Sequence, residues 1–278
     1  MLCFSSLLKT SPKYRRFFLR LAGALREQGV AYRLLEETAD IWCRDYMPVR
    51  GAGGAWVQFR YAPGYLRRFP AFRSDAGRVL EESFTAAELM ASGLADRRHS
   101  RLRLDGGNVI LRGRTAIVTE RIYAENPGRS RRRIRHELKD LLELERLILL
   151  PVENRRIDMT GHVDGICRFV DEETILLGDF SHNPRLRRSI QSILEKEGLE
   201  TVTPEGSDLY YRSGEGWAPY VNFLETSRAI FVPTLGLEEE WRILESLGRI
   251  FSGRRIVPVE AREILREGGA LNCVSWNF

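Results

Sequence analysis

Gly268-Gly-Ala-Leu-Asn-Cys-Val-Ser-Trp-Asn-Phe278 ends the chain and decides how everything before it is read. A Gly-Gly pair lets the backbone turn tightly and come close to a ligand. The pair leads into a short apolar strand with Cys273 at its start, so the thiol is expected at a pocket mouth. The plainer alternative is a small buried hydrophobe, the usual state of an unpaired cysteine. The stretch also stops one strand short of a unit that occurs four times upstream.

That unit is an amphipathic helix, a short strand, a Gly- or polar-marked motif and then a strand or strand pair. The first copy has a helix near Arg15–Gln28, a strand at Ala31–Leu35, the motif Ile41-Trp-Cys-Arg-Asp45 and a strand at Trp56–Phe59. The second has a helix near Thr85–Ser92, the motif Asp105-Gly-Gly-Asn108 and a hairpin turning at Arg112–Arg114. The third has a helix over Arg131–Leu144, a strand at Leu147–Val152, the motif Thr160-Gly-His-Val-Asp164 and strands at Ile166–Val170 and Thr174–Leu177. The fourth has helix Pro184–Glu197, strand Thr201–Thr203, the motif Ala218–Asn222 and a hairpin of Phe223-Leu224 with Ala229–Pro233. The fifth has helix Glu238–Phe251, strand Arg255–Pro258 and the terminal Gly-Gly turn. The segment Leu2–Leu8 can supply the missing strand and close a fivefold ring, which would also hide an exposed sheet edge. Helix alternating with strand equally describes an open α/β sheet. No linker divides the chain, so residues 1–278 are expected to form one domain. Arg50–Gly54 and Arg212–Gly216 are expected as loops near the site.

Composition narrows the function classes. A hydrophobic fraction of 43% beside 29% charged residues is that of a soluble globular protein. No apolar run suits a membrane span. Met1–Leu8 lacks a basic leader region, so no signal peptide and a cytoplasmic location are expected. The net charge is +5, and all but four of the 43 basic residues are arginine. The densest run, Arg129–Arg135, leads into a helical pattern and reads as a solvated helix face rather than a nucleic-acid patch. Cys3, Cys43, Cys167 and Cys273 lie far apart and share no zinc-type spacing with the histidines, so reduced thiols and no metal are expected.

Equivalent motif positions converge in a ring. They bring together Asp45, Asp105 with Asn108, His162 with Asp164, Asn222, and Cys273. Taken as strand residues two apart, His162 and Asp164 share a face. Three carboxylates beside an imidazole and a thiol call for a cationic ligand, and two carboxylates can grip a planar guanidinium through paired hydrogen bonds. The guanidinium would lower the thiol pKa, Cys273 would attack the guanidine carbon, and His162 would protonate the leaving nitrogen and then activate water. Each residue also has a bland reading: an Asp-Gly-Gly-Asn turn, a local Arg44–Asp45 ion pair, a structural Asn222. Cys43, on a strand, and Cys167, an odd step off the His162 face, are expected in the core.

Trp42-Cys-Arg-Asp-Tyr-Met-Pro-Val49, Asp105-Gly-Gly-Asn108, Gly161-His-Val-Asp164 and Gly268-Gly-Ala-Leu-Asn-Cys273 together resemble the agmatine deiminase and bacterial, Porphyromonas-type peptidyl-arginine deiminase family. The resemblance runs from about residue 30 to 278, with the motifs in the family's order. It implies a five-bladed pseudo-symmetric α/β propeller, the pentein fold, and a hydrolase without a cofactor. Cys273 would be the nucleophile, His162 the general acid and base, and Asp45 and Asp164 the guanidinium ligands. Asp105, Asn108, Trp42, Arg44, Asn222 and Gly269 would line the substrate. Agmatine deiminases typically end Gly-Gly-Gly-Asn-Ile-His-Cys, whereas Ala-Leu-Asn precedes Cys273, a form closer to the peptidyl-arginine branch. The opening segment is also short.

The expected function is therefore a guanidine deiminase. It would convert agmatine to N-carbamoylputrescine and ammonia, on a route to putrescine, through an S-amidino intermediate. The alternatives are a peptidyl-arginine deiminase forming citrulline, an amidinotransferase, and a non-catalytic pentein binding protein, which would have no reason to keep the Cys-His-Asp set. The expected partner is a small guanidino compound, neither nucleic acid nor membrane, with a homodimer left open.

Overall fold

The computed structural model describes residues 1–64, 93–94, 96–154, 158–212 and 219–277. In chain order the first elements are β1 (Leu2–Ser5), α1 (Arg15–Glu27), β2 (Tyr32–Leu35), β3 (Val49–Arg50), β4 (Trp56–Arg60) and β5 (Arg97–Arg103). Then come β6 (Ile110–Arg112), β7 (Thr115–Thr119), α2 (Arg131–Leu141), β8 (Arg146–Leu150), β9 (Cys167–Phe169), β10 (Thr174–Leu177), α3 (Pro184–Lys196) and β11 (Glu200–Val202). The chain finishes with β12 (Leu224–Glu225), β13 (Ala229–Thr234), α4 (Glu240–Ile250), β14 (Arg255–Glu260) and β15 (Ser275–Asn277).

These strands form five three-stranded sheets, β15-β1-β2, β3-β4-β5, β6-β7-β8, β9-β10-β11 and β12-β13-β14. Every sheet repeats one plan. A short first strand pairs antiparallel with the middle strand, and a third strand pairs parallel with it. A parallel pair needs a long crossover, which α1, α2, α3 and α4 supply in four of the blades. The helix expected near Thr85–Ser92 falls outside the described residues. Leu2 pairs with Asn277 and Phe4 with Ser275, so the two chain ends meet in one sheet and close the ring. The fivefold α/β architecture expected from the repeats is the one observed, and the open sheet is not.

The middle strands are buried along most of their length, β1 and β13 along all of it. Their composition follows: Ile230-Phe-Val, Ala116-Ile-Val and Ile175-Leu-Leu are near-continuous apolar runs, as expected of strands covered on both faces. The helices turn single apolar stripes inward: Phe17, Phe18, Leu21 and Leu25 from α1, Ile134 and Leu138 from α2, Ile190 and Leu194 from α3, Ile243 and Leu247 from α4. Ser130 caps α2 by accepting from the Arg133 N–H, and Asn183 caps α3 by accepting from Leu186 N–H ahead of Pro184. The arginines that open α2 are exposed, so the basic run is a solvated helix face.

Three expectations need correcting. The strand after each helix pairs with the hairpin before it, so the blade is the sequence unit shifted by one motif. The motifs themselves are turns, not strands: Cys43–Tyr46 is one α-helical turn, and Gly106–Asn108, Val163–Gly165 and Pro219–Val221 are 3-10 turns. Cys273 likewise sits in a turn two residues ahead of β15. Gly, Asp, Pro and Asn at these points favour tight turns over extended chain. Arg50–Gly54 forms the tip of the β3–β4 hairpin and lines a cavity away from the expected site. Residues 213–216 of the other loop lie outside the described residues. Cys43 and Cys167 are fully buried, the first in a helical turn rather than a strand.

Candidate active site

Each motif turn immediately precedes the first strand of its blade, so five turns meet at one end of the axis. Hydrogen bonds tie them into a ring. Asp45 Oδ1 accepts from Gly107 N–H at 3.0 Å, joining the first motif to the second. Thr119 Oγ1 donates to Gly161 O at 2.6 Å and so holds the third. Asn222 Nδ2 donates to Asp164 O at 3.2 Å, Asn272 N–H to Asn222 O at 3.1 Å, and Arg44 N–H to Cys273 O at 3.1 Å. Bonds of this kind are what make so many turns tolerable at a buried place.

Inside the ring lie the expected catalytic groups. His162 is 6% exposed, with Nδ1 3.5 Å from Asp45 Oδ1 and Nε2 3.0 Å from Asp105 Oδ2. Cys273 Sγ is 3.7 Å from Asp164 Oδ2 and 3.3 Å from Asn222 Oδ1, which also accepts from Cys273 N–H at 3.3 Å. The sequence therefore located Asp45, Asp105, His162, Asp164, Asn222 and Cys273 at one place. Strand alternation is not what aligns His162 with Asp164; an extended His162 followed by a 3-10 turn does.

Four other expected residues are placed differently. Asn108 is buried; its side-chain oxygen accepts from Thr119 N–H at 3.0 Å and lies 2.9 Å from Thr119 Oγ1. Arg44 makes no ion pair with Asp45: its Nε donates to Asn272 O at 3.4 Å, and it lines the cavity at the opposite end of the axis. Trp42 packs against Gly269, where a Cβ would clash with the indole ring. The close approach expected of Gly269 is to this indole.

The structure adds residues the sequence did not single out. A Cβ on Gly107 would stand 2.6 Å from Asp45 Oδ1, 2.9 Å from His162 Nδ1 and 3.2 Å from Asp164 Oδ2. The bare glycine therefore marks the point where these three groups converge. Asn272 Nδ2 donates to Asp164 Oδ2 at 2.6 Å and fixes that carboxylate beside the thiol. Arg121, also buried, donates to Thr160 O at 2.9 Å and to Met159 O at 3.2 Å, clamping the segment that delivers His162. Gly161 has φ +62, and a Cβ there would meet the Arg121 guanidinium at 2.8 Å. The Asp-Gly-Gly and Gly-His pairs were the available signals; Arg121 had none among so many arginines.

Electrostatics follow from burial and crowding. Burial alone pushes the His162 pKa down, but the Asp45 and Asp105 carboxylates outweigh it and raise it to about 10. Burial, together with the charges of Asp105 and Asp164, raises Asp45 to about 8, even against the pull of His162. Burial and then Asp164 and Asp45 hold the Cys273 thiol well above its ordinary range. The site thus favours the charged form of the His162 imidazole, the protonated form of the Asp45 carboxyl and the neutral form of the Cys273 thiol. A bound cation would reverse that balance, releasing the Asp45 proton and favouring the thiolate. Among the described residues no group of three or more His, Cys, Asp or Glu is arranged to hold a metal ion.

Comparison with known proteins points the same way. The family model for Porphyromonas-type peptidyl-arginine deiminase matches residues 20–278. A Selenomonas ruminantium protein provisionally named agmatine deiminase is 26% identical over 294 residues, covering 90% of this chain and 77% of that one. The agmatine deiminase of Pseudomonas aeruginosa (strain LESB58) is 28% identical over 205 residues, covering 62% of this chain and 56% of its own. The solved C. jejuni agmatine deiminase superposes with a TM-score of 0.74 at 20% identity, covering 99% of this chain and 92% of that one.

Proposed function

The chain belongs to the Porphyromonas-type peptidyl-arginine deiminase family, and from that premise we propose that it hydrolyses agmatine to N-carbamoylputrescine and ammonia. The observation that carries this reading is the encirclement of Gly107 by Asp45, His162 and Asp164, with the Cys273 thiol 3.7 Å from the last. A guanidinium is the planar cation that such a set of carboxylates would hold by paired, charge-assisted hydrogen bonds. The agmatine deiminases among the relatives favour agmatine as the guanidine.

In the proposed cycle the guanidinium docks between Asp45 and Asp164 and displaces the Asp45 proton. Its charge lowers the thiol pKa, so the Cys273 proton, like that of Asp45, passes to solvent, and the thiolate Sγ attacks the guanidine carbon to form a tetrahedral adduct. His162 gives its proton to one nitrogen, the C–N bond breaks and ammonia leaves, so Cys273 carries an S-amidino group. Neutral imidazole then takes a proton from water, the hydroxide adds to the same carbon, and expulsion of the thiolate yields the ureido product. Asp105, hydrogen-bonded to Nε2, orients the ring and stabilises its charged form. Asn272 and Asn222 fix Asp164 and the thiol in line for attack.

A second reading has one observation in its favour. Asn272, ahead of the nucleophile in Ala-Leu-Asn-Cys, stands where agmatine deiminases typically carry His. The peptidyl-arginine branch, with citrulline as product, is therefore the alternative. Ammonia release from agmatine, free arginine and an internal-arginine peptide, each run with and without Cys273→Ser, tests both. Turnover of agmatine alone, lost in the variant, is the expected result. Turnover of the peptide alone selects the second reading, and activity retained in Cys273→Ser overturns the nucleophile.

A further inference from the structure

The first strands of the five blades begin at the catalytic turns and run to the hairpin tips at the other end of the axis. There they surround a cavity of about 740 Å³, within the range of a site for a small organic ligand. Arg44 and Asn272 contribute to its floor, on the back of the catalytic layer. Arg168 of β9 lies along its wall, and Arg50 and Arg112 stand at the tips of their hairpins.

Four guanidinium groups thus share one cavity, and among the described residues none of them is ion-paired to a carboxylate. What holds them is neutral. Arg44 Nε donates to Asn272 O at 3.4 Å, an Arg112 terminal nitrogen to Val170 O at 3.0 Å, and an Arg168 terminal nitrogen to Phe223 O at 3.4 Å. The Arg168 guanidinium lies 4.5 Å from the Phe223 ring centre, and that of Arg50 5.8 Å from the Trp56 ring. Each guanidinium has five donors, so most remain to be directed at a ligand. The carboxylate on the cavity wall is Glu225, which attracts Arg168 but is itself engaged by Arg254 at 3.0 Å.

Such crowding is costly. Burial, then the charge of Arg168, lowers the Arg44 pKa to about 10, against the pull of Asp164 and Cys273 across the floor. Burial also lowers that of Arg168. Arg44, Arg112 and Arg168 are half-buried and Arg50 is exposed; charges partly withdrawn from water favour a counter-charge, and planar guanidinium forks match the paired oxygens of phosphate or carboxylate groups. We infer that the hairpin-tip end of the central axis is a binding site for a small, multiply charged oxyanion held by Arg44, Arg50, Arg112 and Arg168. Several forks at different heights favour more than one anionic group, as in a diphosphate or a tricarboxylate, over a single chloride.

The test needs no turnover, so its outcome is independent of the deiminase reading. The full chain is titrated calorimetrically with orthophosphate, diphosphate and citrate at constant ionic strength, which removes general screening. One saturable site per chain is expected, with diphosphate or citrate binding more tightly than orthophosphate; the tighter of the two identifies a phosphoryl or a carboxylate ligand. Arg112→Gln and Arg50→Gln, both outside the core, should each weaken binding about tenfold or more. Thermal unfolding without ligand checks that both variants fold, and the rise in Tm on adding ligand to the parent chain should shrink in both. No saturable binding up to about 10 mM, or binding that both folded variants retain in full, overturns the inference.

Discussion

The two ends of the central axis are made from the same short strands, yet they present opposite charge. At the turn end, Asp45, Asp105 and Asp164 surround one imidazole and one thiol. At the tip end, Arg44, Arg50, Arg112 and Arg168 share a cavity whose wall carries the already engaged Glu225. The first strands are two or three residues long, so at about 3.3 Å per residue the ends lie only about 10 Å apart. Arg44 and Asp45 are neighbours in sequence and face opposite ends. The difference teaches that a repeated blade fixes where side chains converge, while the residue at each repeat position fixes what they can bind.

The largest effect expected at the turn end is from Cys273→Ser. It should lower deiminase turnover by at least about a thousandfold while leaving oxyanion binding at the tip end as it was. Ammonia release and anion titration on the same preparation check both halves, and joint loss would mean that the two ends are not separable. Gly107→Ala comes next. Its Cβ would stand within 3.2 Å of Asp45, His162 and Asp164, and loss of aligned geometry should lower kcat/KM about a hundredfold. Circular dichroism would separate this from misfolding, and a fully active variant would move the guanidine away from Gly107.

Weakening of one carboxylate sharpens the picture of how the cation is held. Asp164→Asn should reduce kcat/KM about ten- to a hundredfold by removing one charge-assisted contact, measured with the preferred guanidine. The smallest expected effect is a pH dependence. Asp45 is raised to about 8, so below that pH a guanidinium must displace its proton. Affinity of the Cys273→Ser variant for the guanidine should therefore rise by up to about tenfold per pH unit toward 8 and level off above it. Flat affinity from pH 6 to 9 would remove Asp45 from the contact.

The helices and middle strands were legible because burial imposes periodicity: α1 and α4 differ from their expected limits by only a residue or two. The conformation of the motifs was not. Val163-Asp-Gly165 turns rather than extends because it is held from outside, by Asn222 on Asp164 O and by Thr119 on Gly161 O. Nothing local to His162 announces either bond. Arg121 was invisible for the same reason, its value being the three carbonyls it reaches some 37 to 39 residues away.

The sequence by itself offered the fivefold repeat, the closing of the ring by Leu2–Leu8 that the pairing of Leu2 with Asn277 bears out, and the candidate set of Cys273, His162, Asp45 and Asp164. These are carried by periodicity and by short motifs, which survive as patterns along the chain. Only the tertiary structure decided that Asn272 donates to Asp164 from 108 residues away, that Gly107 stands bare between Asp45, His162 and Asp164, and that Arg44 faces away from Asp45. Those outcomes depend on which groups meet across the axis when five separate turns pack together. Contacts between distant residues, burial and mutual charge set them, and none of these is written in the spacing of neighbours.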